Sequence, residues 1–428
     1  MGESTAGPAQ PGAAPLRLHQ LPVADDRTAA YAMLREAGPV APMWPGGYML
    51  TSAAAAEFAL KRPDLFSSKR AFDAVGSPLP LVPIAADPPE HARYRRILQP
   101  FFSPRGIARW RPEVRSLARE LIGSIAGRGH CDLVADLAVP LPAQVFLTLF
   151  GLPLADRDRL IGWKEALVGN GRFAPGEPPR DRAVRMGAQL FEYLVGHVTE
   201  LRRGGGGPGL LGQLLAGTGE RQLGDEEIYG LSFLLVLAGL ETVTSALSTA
   251  FAALASRPDL RCRLAADPGA IPAAVEELLR FDGPVVFVPR VATRDVEMAG
   301  QRIPAGCTVH IGLAAADRDP GEHPDPDVID FGRAERSLAF GGGPHRCLGS
   351  HLARMEMRVA LEEWHRQIPE YEIAPGHEPR ASWPAGVVGL LELPLVFPGR
   401  RDLGAFRRRM GPASAARPAP RSRLSTDL

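Results

Sequence analysis

A cysteine on a glycine-rich loop carries the strongest chemical signal in the chain, within Phe340-Gly341-Gly342-Gly343-Pro344-His345-Arg346-Cys347-Leu348-Gly349. Glycines let backbone approach a bulky flat ligand closely, and Pro344 stiffens the loop. From Leu348 onward, Leu348, Leu352, Met355 and Val359 recur at helical spacing, which predicts that Cys347 lies at a helix N-terminus. Unpaired N–H groups and the positive dipole end stabilise a thiolate there, and a thiolate so presented suits an iron ligand. A phosphate loop would carry Gly-Lys-Ser/Thr after its glycines, a zinc site would need about four ligands, and a purely structural cysteine would be buried and inert.

Three further groupings could do chemistry. Ala238-Gly239-Leu240-Glu241-Thr242 interrupts an apolar run. Glycine costs ~1 kcal/mol against alanine in a helix interior, and a buried glutamate needs partners or a raised pKa. The segment is either a packing glycine beside a capped polar pair or a place where a helix passes close over a ligand. His91 and Arg95, following Asp87-Pro88-Pro89-Glu90, fall one turn apart on one face and can clamp a carboxylate by charge-assisted hydrogen bonds. Glu277 and Arg280 also share a helix face, though a surface pair of that kind contributes only ~0.5 kcal/mol.

The elements that must position these residues are mostly helical. The patterns predict helices over Thr28 to Ala37, Pro89 to Phe102, Pro112 to Ile125, Leu141 to Phe150, Arg157 to Val168 and Asp181 to Arg203, the last stopped by four glycines and Pro208. Asp225, Glu226 and Glu227 begin a helix that reaches Ser256, before Pro258. It is apolar nearly all round, so it crosses the core, over ~45 Å at 1.5 Å per residue. Strand-like runs are fewer: Val285 to Ala292, Val296 to Met298, Cys307 to Leu313 and Leu390 to Phe397. Asp317 to Gly332, dense in Asp, Pro and Gly, reads as an ordered irregular segment, and Gly169 to Pro179 as a loop.

The chain has 428 residues and a net charge of +1, so no polyanionic partner such as nucleic acid is implied. Four widely spaced cysteines, Cys131, Cys262, Cys307 and Cys347, fit a reducing cytoplasm better than a disulfide scaffold. The Gly-, Ala- and Pro-rich start lacks the basic and apolar regions of a signal peptide. Leu231 to Leu240 is too short to span a bilayer. The division expected is a disordered stretch over 1–17, one catalytic domain over 18–400, and a basic disordered tail over 401–428.

The decapeptide resembles the haem-binding loop of the cytochrome P-450 family, Phe-Gly-x-Gly-x-His-x-Cys-x-Gly, and fixes six positions of it. The resemblance covers roughly residues 25 to 400 and implies a mainly α fold, a triangular helical prism with a small β-rich region enclosing haem b. It implies Cys347 as the metal ligand, with Phe340, Gly341 and Gly349 shaping the loop. His91, Arg95, Arg290 and His345 match the positions that hold the haem propionates. Ala238 and Gly239 would let the central helix run close over the haem, with Thr242 hydrogen-bonding dioxygen and Glu241 relaying protons. Val243 stands where a second hydroxyl residue is common in the family, leaving Thr242 alone at that spot. Glu277, Arg280 and, as third member, Arg333 match the structural Glu-x-x-Arg motif.

The function so implied is a soluble, bacterial-type, cytoplasmic and monomeric haem-thiolate monooxygenase. It would insert one atom of O2 into a small apolar molecule, without nucleic-acid or membrane partners. Oxidative coupling, dehydration, peroxygenation and a non-enzymatic haem sensor are the alternatives; the Glu241-Thr242 pair argues against peroxide use. Segments that face substrate in the family give Phe72, Val75, Leu234, Leu235, Ala238, Val286, Val288 and Val388 as pocket walls, with Gly169 to Pro179 as a mobile lid. With Cys347 set aside, the other cysteines are too few for a four-thiolate iron–sulfur cluster, so electrons should come from a ferredoxin and its reductase. Arg93, Arg96, Arg346, Arg354 and Arg358 form the expected docking patch.

Overall fold

A computed structural model describes residues 15–72, 77, 79–168, 178–219, 222–333, 336–384 and 386–399. Val75, the segment 169–177, most of residues 1–17 and the basic tail 401–428 therefore lie outside the described residues.

The central helix is Asp225–Ser256, with the bounds its acidic start and Pro258 predict. Glu227 turns back to accept the Gly224 N–H at 2.7 Å, satisfying one of the orphan donors at the helix start. Its length lies in the largest hydrophobic cluster, between Leu240, Leu247, Phe251 and residues of every surrounding helix. Several buried polar residues on it are satisfied by nearby carbonyls: Thr244 donates to Leu240 O, Ser248 to Ser245 O, and Thr249 to Asp282 O. By length and composition this helix could cross a membrane, yet most of it is buried inside the protein.

Around it pack Pro140–Phe150, Arg157–Val168, Pro179–Arg203 and Ile271–Asp282. Glu90–Phe102 and Ser350–Gln367 carry the carboxylate clamp and follow the cysteine loop, respectively, and Arg111–Ile125 packs along the latter. The helix Ala53–Lys61 is one that hydrophobic spacing did not announce: its run of four alanines has propensity but little periodic contrast.

Among the described residues, ten short strands complete the fold: β1 Val40–Pro42, β2 Tyr48–Leu50, β3 Phe66–Ser67, β4 His130–Asp132, β5 Val288–Ala292, β6 Val296–Met298, β7 Gln301–Ile303, β8 Thr308–Ile311, β9 Glu372–Ile373 and β10 Pro394–Val396. The largest sheet has the order β1-β2-β8-β5-β3, with only β2 and β8 parallel. Arg290 pairs with Val309 across β5 and β8, which fixes the clamp residue to a rigid frame. The predicted strand Val285 to Ala292 starts three residues late, at Val288; Val285 instead makes an isolated bridge to Val387.

The irregular segment 317–333 is held by one buried node. Arg280 donates to Glu277 twice, at 2.7 and 2.8 Å, and to the carbonyls of Asp317, Pro326 and Val328. Arg333 adds a third arm to Glu277 at 3.2 Å, and the Asp330 N–H another at 2.9 Å. The spacing of Glu277 and Arg280 is that of a weak surface pair, but here both are buried, where a satisfied network fixes a unique backbone path.

Candidate active site

Cys347 is exposed, unlike Cys131, which is buried. Its N–H donates to Phe340 O at 2.9 Å and the Gly341 N–H to Leu338 O at 2.7 Å, so the loop folds back on itself. Gly341 and Gly343 take φ of +62° and +60°, the left-handed region that favours glycine. At Gly343 a Cβ would overlap the Leu60 carbonyl and lie 2.8 Å from its carbon; the end of Ala53–Lys61 therefore supports the loop from below. The following helix starts at Ser350 with Gly349 as its cap, two residues later than the spacing predicts. Protein atoms packed around the thiol push its pKa up, while the Gly349 N–H and Arg95, Arg346 and Arg354 pull it down. The expected stabilisation is present in the Gly349 N–H and the arginines, but, although the residue is solvent-accessible, desolvation of the sulfur by surrounding protein outweighs it. A bound metal cation removes that proton outright.

Four bases converge beside the loop. His91 and His345 lie ring to ring at 4.1 Å. Ser68 holds the outer nitrogen of His345 at 3.2 Å, while Asp87 accepts from Ser67 and the Ser68 N–H. Burial, then Arg95, holds His91 down at about 4. Burial, then Arg290, holds His345 at about 3. Burial lowers Arg290 to about 10. Arg95 is also lowered by burial and feels the Cys347 thiol, which ties this cluster to the cysteine loop. Among the described residues, neither Arg95 nor Arg290 has a carboxylate in an ion pair. Such crowding of bases is costly unless an anion joins them, so the set fits a flat ligand carrying carboxylates.

The central helix presents an accessible stripe at helical spacing: Leu234, Leu235 and Thr242 are half-buried and Ala238 exposed, on a helix most of whose residues are buried. Thr242 Oγ1 donates to Ala238 O at 2.9 Å, leaving its lone pairs free to accept. Gly239 does not open this stripe. A Cβ there would meet the Phe146 ring, at 2.7 Å from Cε2, so this glycine admits the neighbouring helix Pro140–Phe150. Glu241 is gripped from both sides: Lys164 Nζ lies 2.5 Å from Oε2, and Ser245 Oγ donates to Oε1 at 3.0 Å. Both ends of the Lys164–Glu241 pair are nearly inaccessible, at 4% and 7% side-chain exposure. The sequence reading missed Lys164. Its signal was a lysine one turn after Leu160, on the buried face of Arg157–Val168.

Two pocket assignments are corrected. Val286 and Val388 are at most 1% exposed and belong to a cluster with Leu21, Tyr31 and Met49. Their neighbours Val285 and Val387 are the partly accessible residues; a shift of one residue along an extended chain moves a side chain to the other face. Phe72 and Val288 are half-buried. The arginines expected to form the docking patch differ in their partners. Arg93 is tied to Glu227 at 2.5 Å and to Gln222 O, and Arg354 makes a two-pronged bond to Glu276 at 2.6 and 2.7 Å. Arg358 reaches the same carboxylate at 3.4 Å. Arg96 and Arg346 are exposed. Arg346, Arg354 and Arg358 line a concavity of about 340 Å³ together with Arg111, His351 and Met355.

The site so described combines an exposed thiol on a glycine loop, a cluster of bases beside it and a hydroxyl-bearing central helix. The family model for cytochrome P-450 matches residues 270–369. The vitamin D(3) 25-hydroxylase of Pseudonocardia autotrophica is 36% identical over 365 residues, 81% of this chain and 87% of the relative. The methyl-branched lipid omega-hydroxylase of Mycobacterium tuberculosis is 33% identical over 87% of this chain and 91% of its own. Among solved structures, a myxobacterial cytochrome P-450 in complex with myristic acid superposes with a TM-score of 0.80, 33% identity, and coverage of 89% of this chain and 98% of the other. The chain belongs to the cytochrome P-450 family and is a monooxygenase of organic molecules, with the haem-thiolate iron the family implies.

Proposed function

We propose that Cys347 ligates a haem of the b type and that this enzyme hydroxylates or epoxidises a small, largely apolar molecule. The observation that carries the reading is the convergence of His91, Arg95, Arg290 and His345 beside an exposed thiol. These four would hold the haem carboxylates, with Phe340, Gly341 and Gly349 shaping the thiolate loop. The bound cofactor supplies oxygen activation, its thiolate donating electron density that favours O–O cleavage, and one oxygen atom leaves as water. Thr242, whose oxygen can accept, would orient a proton donor toward the reacting centre, with the ion-paired Glu241 beside it as a relay residue. Leu234, Leu235, Ala238, Val288 and Phe72 would form an apolar wall, which suits the vitamin, lipid and fatty-acid names of the relatives.

Residues 18–400 are read as one catalytic unit working in the cytoplasm, with electrons delivered by a separate ferredoxin and its reductase. The reduced protein with carbon monoxide should show the strongly red-shifted Soret band of a thiolate haem, and Cys347→Ser should lose it. Retention of the band in Cys347→Ser would assign the iron to another residue. A spectral screen of apolar and polar compound sets, followed by product analysis with a surrogate ferredoxin, tests the substrate class. Preferential response to polar compounds overturns it.

A further inference from the structure

Adjacent acids on Ile271–Asp282 face opposite ways. Glu277 holds the irregular segment, as described; Glu276 reaches the helix that follows the cysteine loop. Its carboxylate receives Nε and Nη2 of Arg354 at 2.6 and 2.7 Å and Nη2 of Arg358 at 3.4 Å. Held in this fork, the Arg354 guanidinium lies 4.2 Å from the centroid of the Phe340 ring. Phe340 in turn accepts the Cys347 N–H through its carbonyl. A continuous stack therefore runs from Glu276 through Arg354 and Phe340 to the thiolate loop.

Glu276 is what keeps Arg354 there. Its other contacts among the described residues are the aromatic face and a long bond to Ser350 O at 3.4 Å. A part-exposed cation–π contact contributes only about 0.5–1 kcal/mol, whereas a two-pronged bond between charged groups is both stronger and geometrically specific. The site is half shielded: Arg354 has 18% of its side chain exposed and Glu276 has 42%. Their charges thus act on the loop with incomplete solvent screening. The same bond neutralises one of the arginines lining the basic concavity.

We infer that Glu276 is a positioning residue that holds Arg354 on the Phe340 ring and so sets the electrostatic field at the Cys347 thiolate, while lowering the positive charge that the concavity offers to an electron donor. This rests on Cys347 being the haem ligand and, for its second half, on an acidic ferredoxin docking at the arginines of the concavity.

The test uses haem-loaded enzyme, with each variant checked for full haem content. Glu276→Gln removes a negative charge, so the haem reduction potential should move positive. Arg354→Gln removes the cation and should move it negative. The double variant should return close to wild type, since the pair leaves together, and Glu276→Asp, which keeps the charge but shortens the arm, should fall between wild type and Glu276→Gln. Glu276→Gln should also raise donor association about 3-fold at low salt and steepen its salt dependence. Unchanged potentials in both Glu276→Gln and Arg354→Gln overturn the inference, and if one variant fails to load haem the other still decides it. Arg111→Gln, on the far wall of the concavity, separates the two readings. If neither it nor Glu276→Gln alters donor association while the potentials still split, the donor reading fails and the role of Glu276 at the thiolate stands.

Discussion

Lys164 and Glu241 form an ion pair that sequence patterns of either helix do not announce, and it constrains what Glu241 can do. Breaking a buried pair by removing one partner leaves a charge in low dielectric, at a cost of about 3–5 kcal/mol. Lys164→Met should therefore lower Tm clearly, and the double variant with Glu241→Gln should recover much of the loss. If Glu241 also manages protons, Lys164→Met should divert electrons to peroxide with substrate binding intact; Thr242→Ala should do the same, on the scale of ~10²–10⁴-fold for acid–base contributions. Thermal melts and peroxide-to-product ratios check both, and full coupling in Thr242→Ala would remove it from the proton path. His91 gives a pH signature. The fold holds it neutral, with a pKa of about 4 against 6.5 in the unfolded chain. Above pH 6.5 both states are neutral and its contribution is fully present. As pH falls from 6.5 through 4, the unfolded chain takes the proton first, and stability is lost. Haem carboxylates would favour the protonated ring, so Tm of the haem-loaded protein should fall less over this window than Tm of haem-free protein. His91→Asn should flatten the haem-free curve, and identical curves with and without haem would count against His91 as a carboxylate ligand.

Between elements, Gly239 has the packing role that the sequence reading left open beside a close pass over a ligand. An alanine there would drive Cβ into Phe146, and overpacking of this kind costs about 1–3 kcal/mol. Gly239→Ala should lower Tm, and Phe146→Leu added to it should restore part of the loss; no rescue in the pair would place the clash elsewhere. Gly343→Ala, which must meet the Leu60 carbonyl with φ at +60°, should lose haem binding, whereas Gly205→Ala, at φ +78° but in open space, should not. The long helices were legible because their acidic starts, prolines and glycines are local signals: Arg157–Val168 and Asp225–Ser256 fall on the predicted residues. Strands β1, β2, β3, β4, β7 and β9 were not, since two or three residues carry no periodicity. The same division holds in the site. Residues inside a motif, such as Cys347, His345 and Glu277, were legible. Lys164, Ser245, Ser68 and Glu276 were not, because each acts through a partner on another element. The buried face of Val286 and Val388 was not legible, because an irregular extended segment has no fixed face until its pairing is known.

At the scale of the molecule, a net charge of +1 hides a local concentration of cations beside the thiolate loop. Internal ion pairs decide which of them a partner can use. Arg93 is spent on Glu227 and on the carbonyl of Gln222, joining Glu90–Phe102 to the start of the central helix, and Tyr94 donates to the same carboxylate at 2.8 Å. Arg96 and Arg346 are exposed and make no ion pair with the described residues. If an acidic ferredoxin docks here, charge reversal at the two kinds of arginine should have different consequences. Arg346→Glu and Arg96→Glu should slow donor association by about 10-fold at low salt and flatten its salt dependence, because steering by exposed charges acts mainly on the encounter rate. Substrate affinity and Tm should stay close to wild type. Arg93→Glu should instead lower Tm, since it places like charges together between two helices, and should affect donor association no more than the loss of fold requires. Stopped-flow reduction over a range of ionic strength, run beside thermal melts, reads both. Equal and salt-independent reduction rates in wild type, Arg96→Glu and Arg346→Glu would move the docking site to another face of the protein.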